Sequence, residues 1–488
     1  MTHILNKVRR TMYLDSVALM RLSRAIAGTE GVEEAALMMG TPANHEIMED
    51  AGVLNAEGRE AGGGDLVIAI RAKDQATAET ALKDAETQLD APTTSAGEAE
   101  AHRPRTIRSA VAALPQANLA LISVPGAFAI AEARKAIRRG LNAMIFSDNV
   151  AIEDEAALKQ EARDLGRLVM GPDCGTAIIA GTPLAFANAV PPGEIGVVGA
   201  SGTGIQEVTC LIAQNGGGIS HAVGVGGRDL KSEVGGISTL MALDALAEDA
   251  ATKHIVVIAK PPGADATAKV LEKLARIGKQ ATLCLMGAER IETPANVTQV
   301  FSLRDAAFAA LDQSPAMADT PDIAPRKGDI LGLYAGGTLA AEAQVILMDQ
   351  RLAVRSNAAI PGVSDEDGTG HLILDLGDDR YTQGRPHPMI DPGVRDVPLI
   401  EALARDDLAA ILLDVVIGFG AHDDPAGHLA ATIMEHRTAT SPHLIASVTG
   451  TEADSQTRSA QIARLEAAGV HIAPSNAEAA LWATKARE

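Results

Sequence analysis

Residues able to do chemistry concentrate in Val197-Val-Gly-Ala-Ser-Gly-Thr-Gly-Ile-Gln-Glu207, an apolar run, a small-residue loop and then a helical pattern. The layout recurs more loosely in Leu331-Gly-Leu-Tyr-Ala-Gly-Gly-Thr-Leu-Ala-Ala-Glu342. A strand that ends in Gly-Thr at the first turn of a helix presents free backbone N–H groups and the positive helix end to an anion. Two such turns in one chain suggest a phosphate or acyl phosphate held between two helix ends. The N–H groups of Gly202, Thr203 and Gly204, helped by the Ser201 and Thr203 hydroxyls, would form one half. Gly336, Gly337 and Thr338 would form the other. The plainer reading of Ser201 and Thr203 is helix capping, worth about 1 kcal/mol.

Further reactive side chains lie elsewhere. Arg385 and His387 sit in Tyr381-Thr-Gln-Gly-Arg-Pro-His-Pro-Met-Ile-Asp391, whose prolines restrict the backbone. Arginine suits two-pronged binding of a carboxylate. A histidine can donate to a carbonyl oxygen or move a proton near neutral pH. Lys260 and Arg228, each near a strand end, could neutralise phosphate or simply face water. Asp173, Asp375, Asp378 and Asp379 could ligate Mg²⁺, but acid-rich turns more commonly cap or face solvent, and no metal is assigned. Cys174 lies in a glycine-rich turn able to lower a thiol pKa. In Met39-Gly-Thr-Pro-Ala-Asn44, Thr41 is either part of a ligand loop or the cap of a helix with Pro in its first turn.

These residues need a frame, and the frame reads as α/β. Among 488 residues, 46 Gly accompany abundant Ala, Val, Leu and Ile, with one Trp, three Tyr and six Phe. That balance suits parallel sheets covered by Ala-rich helices. Polar 91–105 and proline-rich 312–328 read as linkers. The expected domains are a small α/β, ferredoxin-like one (1–90), a CoA-binding-like Rossmann segment (106–190) and two flavodoxin-like domains (191–314 and 328–488). The last two read as versions of one unit. Five features match in order, closing on the capping-box starts Ser302-Leu-Arg-Asp305 and Ser475-Asn-Ala-Glu478. The two are expected to pair face to face so that their glycine loops meet.

No apolar run reaches the roughly 18 residues that span a bilayer. Three scattered cysteines (Cys174, Cys210, Cys284) have no metal or redox spacing, which together with the absence of a signal-peptide pattern implies reduced thiols and the cytoplasm. A formal charge of −21 disfavours nucleic acid and anionic membranes.

The segment from about 118 to 311 resembles the α subunit of succinyl-CoA synthetase. The likeness rests on Ser123-Val-Pro125, Gly171-Pro-Asp173 and Ser201-Gly-Thr203. From about 331 onward the chain resembles the carboxyl-terminal ligase domain of the β subunit. It therefore looks like a fused α and β pair without the ATP-grasp domain. Ser123, Val124, Pro125 and Asp173 are then candidates for a CoA-like ligand, with Phe146–Asn149 beside them.

Over nearly its whole length the sequence is similar to the FdrA family. The matching stretches include Met38-Met-Gly-Thr-Pro-Ala-Asn44, Met170-Gly-Pro-Asp-Cys-Gly-Thr176, Gly226-Gly-Arg-Asp-Leu230 and Leu413-Asp-Val-Val-Ile-Gly-Phe-Gly420. That resemblance implies a subunit of an oxamate carbamoyltransferase, which splits oxalurate with phosphate into oxamate and carbamoyl phosphate. It also implies partner subunits and a functional link to carbamate kinase. In that reading Arg385 grips the acceptor carboxylate. The alternative is an acyl-CoA synthetase that binds CoA and works with a separate nucleotide-binding subunit.

The chain departs from succinyl-CoA synthetase where that enzyme carries its phosphohistidine. The matching loop reads Gly287-Ala-Glu-Arg-Ile-Glu-Thr-Pro294, and no histidine occurs between His254 and His371. Lys260 stands where the orienting glutamate is expected. The chain is therefore predicted to form no acid-labile phosphohistidine. Labelled ATP or acyl phosphate, followed by mapping of alkali-stable label, checks this. Stoichiometric label on a histidine would reject it, and label on His387 would restore a shuttle.

Overall fold

The computed structural model describes residues 2–12, 14, 16–90, 104–260, 262–382 and 386–488. The chain divides into two compact units, Met1–Ala113 with Thr382–Pro386, and Leu114–Tyr381 with His387–Glu488.

In the first unit the central strand Leu66–Ala72 pairs antiparallel with His3–Arg9 on one side and Val32–Met39 on the other. Helices Ser16–Ala27 and Gln75–Asp90 accompany them. Ala78, Ala81 and Ala85 recur at helical spacing and are buried, because only a small side chain fits between helix and sheet. This strand order is the ferredoxin-like one without a fourth strand among the described residues. Thr41 caps the helix Pro42–Asp50, accepting from the Asn44 N–H at 3.3 Å.

The second unit holds three sheets. The smallest has the parallel strands Leu119–Ile122, Asn142–Ile145 and Val169–Met170. In the next, five parallel strands run in the order Val297–Val300, Gln280–Leu285, His254–Ala259, Pro192–Gly199, Ile219–Gly224. The hairpin Thr176–Ile179 and Thr182–Ala185, which lies within 106–190 by sequence, adds antiparallel to Ile219–Gly224. The third sheet is wholly parallel. Its strand Asp329–Tyr334 lies between His371–Asp375 and Leu408–Val416, followed by His443–Thr449 and His471–Ala473. Val354–Ser356 and Ser364–Asp365 extend its other edge. Apart from those additions both large sheets have the flavodoxin order, in which the first strand lies beside the second and third.

A single apolar core runs through both large sheets. It includes Ile205, Val208 and Ile212 of one half, and Leu339, Ala340, Ala343 and Trp482 of the other. The helices Gly202–Gln214 and Gly337–Asp349, here the first and second loop helices, pack together there. Each also packs on the last helix of its own half, Leu303–Ala310 or Asn476–Lys485.

The small sheet is fastened by a buried cation. Lys159, on the helix Ile152–Asp164, is fully buried. Its ammonium donates to Glu155 Oε1 and Asp229 Oδ1, both at 2.8 Å, and to the Val225 carbonyl at 2.9 Å. Asp229 also accepts from the Ser238 and Thr239 N–H groups and the Thr239 hydroxyl. Removing one member of such a buried set leaves charge uncompensated, at about 3–5 kcal/mol. Lys159→Met should therefore lower stability by about 3 kcal/mol or more in urea denaturation. A loss below about 1 kcal/mol would show that the carboxylates find other partners.

Candidate active site at two opposed glycine loops

The first loop helix starts where strand Pro192–Gly199 ends. Ser201 is its extended N-cap, and its Oγ accepts from the Gly204 N–H at 3.1 Å. The second starts at Gly336, beyond strand Asp329–Tyr334. The two starts touch, with Ser201 Oγ and Thr338 Oγ1 sharing a short hydrogen bond. A Cβ on Gly336 would lie 3.0 Å from Thr203 Oγ1, and one on Gly204 would lie 3.0 Å from Thr338 Cγ2. Only glycine lets the turns come this close.

Not every expected donor is free. The Gly204 N–H is used by its own cap. The N–H groups of Ala335 and Gly336 donate to the buried Asp414 carboxylate at 2.7 and 2.8 Å. Gly202, Thr203, Gly337 and Thr338 keep N–H groups without a protein acceptor among the described residues. Two donors on each side therefore remain for an anion.

Asp414 anchors the turn that precedes the second helix, whereas Ser201 caps the first turn of its own. Asp414 lies on the fully buried strand Leu408–Val416 and pairs with Arg395 Nη1 at 3.0 Å. Burial pushes its pKa up, and Arg395 opposes that. The residue was legible as the lone carboxylate in Ala409-Ala-Ile-Leu-Leu-Asp-Val-Val416. No sequence feature singled out Arg395 as its partner.

Three further groups converge on the second loop. Asp375 ends strand His371–Asp375 and is 8% exposed. Its Oδ1 accepts from the Gly377 N–H at 3.0 Å, while its Oδ2 lies 2.3 Å from where a Gly337 Cβ would stand. Burial raises its pKa to about 6, and the Lys260 charge works against that rise. Lys260 itself is exposed at the end of strand His254–Ala259. His387 Nε2 lies 2.6 Å, and Asp375 Oδ1 3.2 Å, from where a Gly377 Cβ would be.

Burial, and secondarily Arg395, lowers the His387 pKa to about 4, so the ring is neutral at pH 7. Its Nδ1 accepts from the Met389 N–H at 3.2 Å, which leaves the proton on Nε2. His387 is thus a hydrogen-bond donor, and the proton-carrier role expected near neutral pH does not fit. The ring neighbours Phe186, centroid to centroid 6.3 Å. The Phe186 carbonyl in turn accepts from Thr176 Oγ1, which lies 3.1 Å from a Cβ position on Gly202.

Other candidates sit elsewhere. Arg385 lies outside the described residues. Arg228 forms an ion pair with Glu155 at 2.9 Å and so balances the Lys159 set instead of a phosphate. Cys174 is buried, which drives its thiol up to about 12, the reverse of activation. Pro125 is the N-cap of helix Gly126–Ile137, and Val124 packs on the small sheet's core. A Cβ on Gly126 would meet the Asp148 carbonyl at 2.2 Å, so protein backbone fills the space beside Ser123-Val-Pro125. The Asp173 N–H donates to the Ser147 carbonyl at 2.9 Å. Ser147 Oγ is buried without a hydrogen-bond partner among the described residues, beyond the carboxyl end of strand Asn142–Ile145. The loop from Gly287 borders a separate groove of about 290 Å³ lined by Phe301, Val345, Met348 and Ile360. Among the described residues no cluster of three or more His, Cys, Asp or Glu could hold a metal ion. No helix is long and apolar enough to cross a membrane among those residues.

The fold contains domains of the CoA-ligase type. Residues 333–486 match the CoA-ligase family, 191–285 the CoA binding domain, and 1–105 a domain described as AllF, heavy metal-associated. The CoA-binding match thus falls on the first glycine loop and not on 106–190. The chain is 40% identical, over 98% of its length and 97% of the other, to the uncharacterized protein YahF of Escherichia coli (strain K12). It belongs to the family of that protein. It is also 27% identical, over 30% of its length, to the succinate–CoA ligase [ADP-forming] subunit alpha 2 of Archaeoglobus fulgidus. A 26% match covers 35% of it against the corresponding alpha subunit of Methanothermobacter thermautotrophicus. The chain spans 52% and 58% of these two relatives. None of the three relatives bears the name FdrA or carbamoyltransferase.

Behind the loops the two helices carry matched glutamates. Glu207 Oε1 accepts from the Asn476 N–H at 3.1 Å, and Glu342 Oε1 from the Leu303 N–H at 2.6 Å. Burial, and secondarily Glu207, raises the Glu342 pKa to about 8 from an ordinary 4.5. The folded state therefore holds this proton more tightly than the unfolded chain. Its stabilising effect is full below about pH 4.5 and is lost as pH rises through about 8. Glu342→Gln should gain in stability relative to the native protein between about pH 5 and 8, by up to about 1.4 kcal/mol per pH unit, seen as a widening difference in melting temperature. A constant difference in scanning calorimetry would mean that Glu342 does not titrate in that range.

Proposed function

We propose that this chain is the acyl- and phosphate-handling part of an acyl-CoA synthetase-type ligase, working with a separate nucleotide-binding subunit. The observation that carries the reading is the meeting of the two glycine loops through Ser201 and Thr338. In this reading the N–H groups of Gly202, Thr203, Gly337 and Thr338, which have no acceptor among the described residues, face a common anion. Matches to the CoA-ligase and CoA-binding families, and to succinate–CoA ligase alpha subunits, support it.

In this reading the backbone donors hold the phosphate of an acyl phosphate. Neutral His387 donates from Nε2 as negative charge gathers on oxygen. Lys260 adds positive charge from the facing sheet. CoA would supply the thiol that takes the acyl group and releases phosphate.

A second reading, carbamoyl transfer between phosphate and a ureide, is favoured by two observations. The loop 287–294 lacks a histidine, and His387 is set as a donor and not as a nucleophile. The same slot would then serve carbamoyl phosphate without a phosphoenzyme.

Hydroxylamine trapping separates the two. With the purified chain and its partner subunits, short-chain acyl-CoA should give phosphate-dependent hydroxamate above the background of direct thioester aminolysis measured without phosphate. Gly202→Val should reduce the yield on the order of 100-fold, the scale of losing an oxyanion donor, with circular dichroism unchanged. No phosphate-dependent hydroxamate, together with turnover of carbamoyl phosphate and oxamate in ³¹P NMR, would replace the first reading by the second.

A further inference from the structure

The proposed anion slot contains a carboxyl group that its backbone donors do not explain. Asp375 Oδ1 is held by the Gly377 N–H, but Oδ2 has no donor among the described residues and points at Gly337, the first turn of the second loop helix. The residue cannot easily move away. Asn357 Nδ2 donates to its carbonyl at 2.9 Å, and its N–H donates to Asn357 Oδ1 at 2.9 Å. A bare carboxylate beside a helix N-terminus repels a fully ionised oxyanion, unless a proton lies between them.

The geometry points to Asp375 as the residue that makes this slot select a tetrahedral anion carrying its own proton, a monoprotonated phosphate or phosphoryl group, over one that cannot carry one. This rests on the phosphate slot proposed above. Hydrogen phosphate can donate its O–H to Asp375 Oδ2 while its other oxygens take the Gly202, Thr203 and Thr338 N–H groups. Sulfate has the same shape but no proton to offer near neutral pH, so its approach leaves two anions facing each other.

The charged and titratable groups around Asp375 come from several elements. Lys260 ends a strand of the first large sheet, Asp378 lies in the loop after Asp375, and Asp414 lies on the neighbouring strand Leu408–Val416. His387 Nε2 approaches from the loop beyond. Lys260 favours the ionised carboxylate, and Asp378 and Asp414 oppose it. Burial is the largest influence and holds the titration near pH 6, so a shift to about pH 5.5 supplies from the protein the proton that sulfate lacks.

Calorimetric titration of the full chain with inorganic phosphate and with sulfate tests this. At about pH 7.5 phosphate should bind on the order of 10- to 150-fold more tightly than sulfate, the range of one hydrogen bond to a charged acceptor. Sulfate binding by the native protein should strengthen as pH falls to about 5.5. Asp375→Asn, whose Oδ1 can still accept from Gly377, should bind both anions alike with no such pH dependence for sulfate. The pH arm needs no variant, so a misfolded Asp375→Asn leaves the test intact. Equal binding of both anions by the native protein, unchanged by pH, overturns the role of Asp375 and leaves the slot standing. No binding of either anion by the native protein or a folded Asp375→Asn overturns the slot itself, and this assignment with it.

Discussion

The loop helices are locked by an exchange of carboxyl groups across the interface between the two large sheets. Glu207, five residues beyond Gly202, takes the first free N–H of the helix that closes the opposite half, at Asn476. Glu342, equally far beyond Gly337, takes the equivalent N–H at Leu303. Each closing helix has a serine N-cap of its own, Ser302 or Ser475, so the added carboxylate meets a donor that the cap leaves over. Because each half completes the other's helix, neither pair can slide without exposing an N–H group and a buried glutamate at once. Asn476 joins the two glutamates by also donating to Glu342 at 2.8 Å.

That lock fixes the spacing of the glycine turns. With Glu207 and Glu342 held, Gly204 lies against Thr338 and Gly336 against Thr203, so a side chain on either glycine would press on the opposite threonine. The positive ends of the two helices are thereby pressed together, an arrangement that repels itself unless negative charge compensates. Asp414 supplies a fixed part of that charge, bonded to Ala335 and Gly336 and steadied by Arg395. Asp375 supplies an adjustable part, and a bound phosphate would supply the rest. Anion binding at this place, as proposed, would follow from how the core is assembled.

The same assembly sorts the charged residues into roles that their types alone do not reveal. Arg228 and Lys159 join Glu155 and Asp229 in one buried set that ties the small sheet to the loop after Gly226. Lys260 stays exposed at a strand end, where its charge still reaches Asp375. Asp414 carries its charge inside an apolar strand and is affordable only because two N–H groups and Arg395 converge on it. His387 is kept neutral by burial, which makes it a donor.

Much of the fold was legible because it depends on local patterns. The apolar strands, the small-residue turns Ser201-Gly-Thr203 and Gly336-Gly-Thr338, the matched serine caps and the internal repeat are all written in neighbouring residues. Hydrophobic period and turn chemistry act over a few positions. The pairing of the hairpin Thr176–Ala185 with Ile219–Gly224 was not legible, since antiparallel addition at a sheet edge leaves no distinct local pattern. Nor were the partners of Asp375, Asp414 and Glu342, which come from strands and helices far apart in the chain. The sequence by itself determined that two glycine turns exist and that each begins a helix. Only the tertiary structure decided that they abut, which N–H groups are already used and which proton each buried group holds. Those outcomes depend on desolvation and on distances between segments that sequence spacing does not set.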